Sequence, residues 1–140
     1  MKNFFFKVTR EASLPLELSL LVPRLFVGLT MAFSHGLGKV PPPEQLISGV
    51  EAIGFPAPVA FAWAAGLAEF LGGLFIALGF MTRPAAMFLG FTMLVAALKV
   101  HGADPFSSKE MSLLYFFFTL IFIIRGSGKL SVDALINKKG

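Results

Sequence analysis

The sequence predicts an all-α integral membrane protein: a four-transmembrane-helix antiparallel bundle with a short interfacial helix in the first outer loop. First, 56% of the 140 residues are hydrophobic and 14% are charged, whereas soluble domains average about 25% charged residues. Second, four apolar stretches approach the roughly 20 residues that a helix needs to cross a bilayer. Third, the stretch from Pro58 to Phe80 contains one charged residue, Glu69. A carboxylate inside a membrane helix usually faces a partner in the protein interior.

The first predicted helix covers residues 15–37, and a loop with its own short helix follows it. Pro23 lies inside the first helix and predicts a kink, or a change from an interfacial to a spanning stretch. Prolines at 41–43 cannot continue the helix. The stretch from Glu44 to Ile53 places four apolar side chains on one face, which predicts the interfacial helix. These side chains are Leu46, Ile47, Val50 and Ile53.

The remaining predicted helices cover residues 58–80, 84–100 and 111–125, in a single domain that spans residues 1–140. Only Met81, Thr82 and Arg83 separate the second helix from the third. So short a connection requires an antiparallel hairpin.

The basic residues predict how the bundle is oriented in the membrane. One end of the four-helix arrangement carries Lys2, Lys7, Arg10, Arg83, Arg125, Lys129, Lys138 and Lys139, and the other carries Lys39, Lys99 and Lys109. Because cytoplasmic loops are enriched in Lys and Arg, both termini are expected in the cytoplasm of a multi-pass protein. The apolar run near the N-terminus is too short for a cleavable signal, so we expect the first helix to act as an uncleaved one.

Composition also excludes several chemistries. The chain has no cysteine, which excludes disulfides, thiolate zinc sites and ordinary iron–sulfur clusters. The histidines are His35 and His101, so haem is disfavoured and no metal site is predicted. No basic patch with interleaved aromatic residues is present, so nucleic acid is not an expected partner. No phosphate-binding or dinucleotide motif is present.

Helical spacing aligns polar residues inside the predicted bundle. Arg24 and His35 share one stripe of the first helix, and Glu69 lies on a face of the second that is rich in small residues. On the fourth helix, Tyr115 and Thr119 form a polar stripe. Depth, counted at 1.5 Å per residue, places Arg24 about 7 Å to the cytoplasmic side of Glu69 and His35 about 9 Å to the outer side.

These depths suggest a buried Arg24–Glu69–His35 array that binds a polar head group or relays protons. Two simpler interpretations remain open. Arg24 and Glu69 could only neutralise one another and set helix register, or Arg24 could extend to the interface without meeting Glu69.

Several stretches resemble the DoxX family of small four-helix bacterial inner-membrane proteins. The first is Arg24-Leu25-Phe26-Val27-Gly28 followed by His35-Gly36-Leu37-Gly38-Lys39, and the second is Ala68-Glu69-Phe70-Leu71-Gly72-Gly73 with the hairpin at 78–86. His101-Gly102, Glu110 and the tail at 126–135 complete the resemblance, which spans about residues 24–136. Ser127 stands where the family pattern has proline.

The resemblance implies an association with redox chemistry at the level of quinones. On this basis Glu69 and His35 are candidates for proton exchange. The candidate ligand-binding residues are Arg24, His35, Lys39, Glu69, Tyr115 and Thr119. Further residues that match the family pattern are Arg83, His101, Glu110 and Asp133.

Three functions remain open at this point. The first is a quinone-linked oxidoreductase component that receives electrons from a soluble or membrane redox enzyme, because the chain itself has no evident electron carrier. The second is a non-catalytic protein of the bilayer that binds a lipid or an isoprenoid, or acts as a scaffold. The third is a small transporter or channel, which would require a homo-oligomer because four short helices without an inverted repeat make a poor pathway alone.

Overall fold

The computed structural model describes residues 14–138. Within them the chain forms six α-helices, which we number in order. They are α1 (Leu14–Thr30), α2 (Glu44–Ala52), α3 (Pro58–Leu78), α4 (Thr82–Val95), α5 (Phe106–Arg125) and α6 (Val132–Lys138). Wide π-helical turns continue α1 over Met31–Gly36 and α4 over Ala96–Val100, and a 3-10 turn over Leu37–Lys39 follows the first of these.

Four helical segments are long and apolar enough to cross a membrane, as predicted. They cover Leu14–Lys39, Pro58–Leu78, Thr82–Val100 and Phe106–Arg125. The last begins at Phe106 and not at the predicted Met111, because Pro105 starts the helix ahead of the polar residues that precede the apolar run. The hairpin connection is Gly79 to Met81, so Thr82 and Arg83 belong to α4.

The spanning segments pack in the order α1, α3, α4, α5, each antiparallel to the next. We call the end that holds the Gly79–Met81 turn and residues 126–138 the tail end. The opposite end, which holds residues 40–57 and 101–105, is the loop end. The predicted interfacial helix is present as α2 at the loop end, where Val50 is buried. The N-terminal basic residues of the topology prediction lie outside the described residues.

Glycines bring α1 and α3 into backbone contact. A β-carbon at Gly28 would lie 2.6 Å from the Gly73 carbonyl oxygen, and one at Gly73 would lie 2.7 Å from the Gly28 carbonyl oxygen. Gly36 is equally close to the backbone of Phe70, and Gly66 to that of Lys39. Small residues that allow such an approach are typical of membrane helix interfaces, and these contacts determine which residues of α1 and α3 lie at the same level.

The first spanning segment contains one continuous α-helix from Leu14 to Thr30, with Pro23 inside it. Its regular hydrogen-bond pattern changes at Met31, where the π-helical turn begins. Turns of this kind are frequent at functional sites because they re-aim the side chains that follow. Here His35 and Lys39 follow.

Candidate functional site

A carboxylate and an ammonium group pair inside the bundle. The Lys39 Nζ donates hydrogen bonds to both oxygens of the Glu69 carboxylate, at 2.7 Å to Oε1 and 2.6 Å to Oε2. The Glu69 side chain is 4% exposed, whereas the Lys39 side chain is 34% exposed at the loop end. The pair therefore connects a group in the bundle interior to the loop-end surface, and charge pairing offsets the cost of burying the carboxylate.

Helix geometry explains why these two residues meet. The close approach of Gly66 to the Lys39 backbone places Lys39 one helical turn from Glu69 on the loop-end side. A side chain at Gly66 would occupy the space that the Lys39 carbonyl fills. The 3-10 turn at Leu37–Lys39 ends the segment at this point, so the long Lys39 side chain can extend back along α3 to the carboxylate.

His35 and Tyr115 lie beside the ion pair. Their rings meet edge to face, with centroids 5.6 Å apart. Tyr115 is buried, and it lies close enough to Glu69 for the two groups to interact electrostatically. Three spanning segments thus contribute to one polar site, α3 with Glu69, α5 with Tyr115 and the extension of α1 with His35 and Lys39.

The depth assigned to His35 from residue counting was wrong. Gly36 packs directly on the backbone of Glu69 and Phe70, so His35 lies level with Glu69 and not about 9 Å beyond it. Residue counting assumed that the midpoints of the two helices lie at the same depth in the membrane. The glycine contacts instead determine the register, and they displace α1 along the axis of α3.

Arg24 does not join this site, and the predicted Arg24–Glu69–His35 array is not formed. The Arg24 guanidinium donates hydrogen bonds to three backbone carbonyls, those of Ala77 at 3.3 Å, Ser127, and Leu130 at 2.7 Å. Ala77 lies eight residues from Glu69 on α3, which corresponds to about 12 Å. Arg24 is 1% exposed, so the protein encloses its guanidinium at this end of the bundle.

Arg24 instead belongs to a buried polar cluster at the tail end. We call Glu17, Arg24, Thr82, Ser127, Ser131 and Asp133 the tail cluster, and all six are buried. The Glu17 carboxylate accepts a hydrogen bond from the backbone N–H of Lys129, and the Ser131 hydroxyl accepts one from the N–H of Ala134 at the start of α6. The cluster therefore attaches the C-terminal segment to the end of the bundle.

Asp133 holds the turn between α3 and α4. Its carboxylate accepts hydrogen bonds from the N–H groups of Met81 at 2.8 Å and Thr82 at 3.1 Å, and from the Thr82 hydroxyl at 2.8 Å. Met81 has a φ of +44°, which a residue with a β-carbon adopts at a cost. The carboxylate also satisfies free donors at the start of α4 and complements the helix dipole.

The other candidates form contacts that do not involve Glu69 or Lys39. The Thr119 hydroxyl donates to the Phe116 carbonyl at 2.6 Å and packs against Gly90 of α4. Arg83 donates to the Ile124 carbonyl at the tail end. His101 pairs with Asp104 at 2.8 Å in the second loop-end loop, and Glu110 is exposed on α5. Among the described residues no group of three His, Asp or Glu side chains could hold a metal ion.

Two features of the polar sites were not predicted. The first is the pairing of Lys39 with Glu69, although the polar and small residues on either side of Leu37 at 34–39 indicate that this end of the segment does not face lipid. The second is the role of Glu17 and Ser131 in the tail cluster. Glu17 is the one acidic residue in α1, and a carboxylate there requires a polar partner just as Glu69 does.

The structure also contains apolar grooves on the side of α3 away from α1. One of about 220 Å³ lies between α2, α3 and α4. Its lining includes Val50, Ile53, Phe55, Phe61, Phe91 and Thr92. A second, of about 350 Å³, lies between α3 and α4 nearer the tail end.

The four spanning segments and the internal ion pair define a small multi-pass membrane protein with a polar site inside a helical bundle. A model of the DoxX family matches residues 19–102. The chain belongs to this family. The match includes Arg24, His35, Lys39 and Glu69, but it ends before α5.

Relatives extend the likeness over most of the chain. "Inner membrane protein YqjF" of Escherichia coli is 34% identical over 86% of this chain and 89% of its own length. "Putative oxidoreductase CatD" of Bacillus subtilis is 28% identical over 87% and 90%. "Uncharacterized membrane protein Rv3486" of Mycobacterium tuberculosis is 32% identical over 86% and 83%. No solved structure matches the chain significantly.

Proposed function

We propose that this protein is the membrane component of a quinone-linked oxidoreductase and that the Glu69–Lys39 pair exchanges protons with the quinone. The observation that carries the proposal is this pair, buried at Glu69 and partly exposed at Lys39, with Tyr115 and His35 beside it. Ionisable groups inside membrane bundles commonly mark ligand or proton pathways. The name of the Bacillus subtilis relative, which describes an oxidoreductase, supports the same direction.

The chemistry follows from what reduction of a quinone requires. A quinone takes up two electrons and two protons to become a quinol, and groups close to its carbonyl oxygens must supply the protons. Lys39 and His35 can donate protons, Glu69 can pass one on, and the Tyr115 hydroxyl can donate a hydrogen bond to a carbonyl. The electrons come from a soluble or membrane redox partner.

The same proposal includes location and orientation. We place the protein in the bacterial cytoplasmic membrane with the tail end in the cytoplasm. The name of the Escherichia coli relative supports the membrane. Of the described basic residues near the two ends, the tail end has Arg83, Arg125, Lys129 and Lys138, and the loop end has Lys39, Lys99 and Lys109. The sequence ahead of α1 adds Lys2, Lys7 and Arg10, and this excess supports the orientation.

A second function is favoured by the apolar groove beneath α2. A non-catalytic protein would hold a lipid or isoprenoid chain in this groove of about 220 Å³, since apolar pockets with few polar groups are typical ligand sites. In that case the Lys39–Glu69 pair would hold α1 to α3 without taking part in chemistry.

Quinone binding tests the proposal directly. Protein purified in mild detergent is analysed by lipid extraction and mass spectrometry, and a short-chain quinone is then titrated against wild type, Glu69→Gln and Glu110→Gln. We expect Glu69→Gln to weaken binding about tenfold, the effect of losing a hydrogen bond to a charged group. Glu110→Gln changes an exposed carboxylate at the same end and should bind as wild type does. Equal affinity in all three proteins would contradict the proton role of Glu69.

A further inference from the structure

A layer of apolar side chains separates the Glu69 site from the tail cluster. Met31, Ile76, Leu89 and Phe122 are each 1% exposed and belong to one packed cluster. Each comes from a different spanning segment, so the layer extends across the whole bundle. These side chains offer water no hydrogen-bonding group, and buried apolar spaces of this kind stay dry.

The backbone contact of α1 with α3 closes the same layer on one side. A β-carbon at Gly73 would lie 2.7 Å from the Gly28 carbonyl oxygen and 2.8 Å from the Ala32 nitrogen. Two helices at this separation leave no channel between them. Glu69 and Ala77 are about 12 Å apart along α3, and the layer lies between them, with Leu89 beside Gly72 and Ile76 just before Ala77.

The loop end has the opposite character. Lys39, whose side chain is 34% exposed, holds both oxygens of Glu69. A β-carbon at the neighbouring Gly38 would meet no atom within 4 Å, so the chain beside Lys39 is open. We propose that the Glu69–Lys39 site exchanges water and protons with the loop-end side of the membrane alone, while the Met31–Ile76–Leu89–Phe122 layer closes it to the tail-end side.

This inference gives the proposed redox chemistry a direction, and in that respect it rests on the proposed function. Protons that a quinone takes up or releases at Glu69 would all come from, or go to, the loop-end compartment. With the tail end in the cytoplasm, this compartment is the outside of the cell. The access route itself depends only on packing and can be measured without any quinone.

The absence of native cysteine makes the measurement clean. Single-cysteine variants Glu69→Cys and His35→Cys place a thiol in the site, and Ile76→Cys places one in the apolar layer. Ser107→Cys and Asn137→Cys mark the loop end and the tail end and report orientation in proteoliposomes. An impermeant anionic thiol reagent, sulfonatoethyl methanethiosulfonate, is added to one side at a time. Its charge suits the Lys39 ammonium that Glu69→Cys leaves unpaired.

We expect Glu69→Cys and His35→Cys to react when the reagent is added on the loop-end side, which Ser107→Cys marks. When it is added on the tail-end side, which Asn137→Cys marks, their reaction rates should be lower by a factor of about ten or more, because a charged reagent enters an apolar layer poorly. Ile76→Cys should react from neither side. Reaction of the site cysteines from the tail-end side at a comparable rate, or from neither side, would overturn the inference. If Glu69→Cys does not fold, His35→Cys carries the same test. One-sided labelling in a protein that binds no quinone would refute the proposed function and leave the access route standing.

Discussion

Replacement of Arg24 tests whether the tail cluster attaches the C-terminal segment to the bundle. Arg24→Met keeps the unbranched apolar part of the side chain and removes the charge and every donor. Two of the three lost hydrogen bonds reach the tail, to Ser127 and to Leu130 at 2.7 Å. Hydrogen bonds from charged groups contribute about 1.5–3 kcal/mol each, so the two bonds to the tail account for roughly 3–6 kcal/mol. Relief from burying the guanidinium offsets part of it, and we expect a net loss of about 2–4 kcal/mol in the free energy of unfolding.

The effect should be largest in the tail itself. In the wild type the Lys129 N–H donates a hydrogen bond to the Glu17 carboxylate. Release of the tail would expose the peptide bond after Lys129 to trypsin. We therefore expect faster cleavage after Lys129 in Arg24→Met, along with a lower midpoint of thermal unfolding in detergent. Arg24→Lys should be intermediate, because one ammonium cannot reproduce the planar fork that reaches three carbonyls.

Arg125→Met is the matched control at the same end of the bundle. Arg125 is only partly buried, and its replacement should cost less than about 1 kcal/mol. If Arg24→Met kept wild-type trypsin resistance and unfolding midpoint, the hydrogen bonds to the Ser127 and Leu130 carbonyls would contribute nothing to tail attachment. The tail cluster would then be a consequence of folding and not a cause of it.

Three further predictions concern helix packing, the ion pair and the hairpin turn. Gly73→Ala should lower stability by about 1–3 kcal/mol by overpacking, whereas Gly49→Ala, whose β-carbon meets no atom within 4 Å, should not; equal unfolding midpoints would refute this. Lys39→Met should lower the free energy of unfolding by roughly 3–5 kcal/mol, because it leaves the Glu69 carboxylate buried and unpaired. The double variant Lys39→Met with Glu69→Gln should recover most of this loss. Additive effects of the two substitutions in the double-mutant cycle would contradict the pairing. Asp133→Ala removes the acceptor of three hydrogen bonds and should speed amide hydrogen exchange at the α3–α4 turn. Exchange at the wild-type rate would show that the turn conformation does not depend on Asp133.

Much of the fold could be predicted because it depends on local patterns. The spans were predicted from apolar length, the hairpin from its short connection, and α2 from four apolar side chains on one face. The predicted start of the last span was late because hydropathy detects the apolar core of a helix and not its polar first turn at 107–110.

The candidate site was predicted only in part. The helix face that carries Glu69 was predicted correctly, and His35 and Lys39 were named as candidates. Which residue pairs with Glu69 was not predicted. Lys39 and not Arg24 holds the carboxylate, and Tyr115 reaches the site from α5. Residue counting within a helix gives depth relative to that helix alone, so it could not show which residues of two helices lie level.

Apolar length and helical spacing are enough to predict a membrane bundle of four helices whose central carboxylate requires a partner. Hydropathy and helical period are local properties, and the cost of an isolated charge in lipid holds in any arrangement. The identity of the partner depends on how the helices pack. Contacts of Gly28 with Gly73 and of Gly66 with Lys39 determine the register of α1 on α3. That register carries Arg24 to the carbonyls of the tail and Lys39 to Glu69, because backbones in contact can pack at few relative positions.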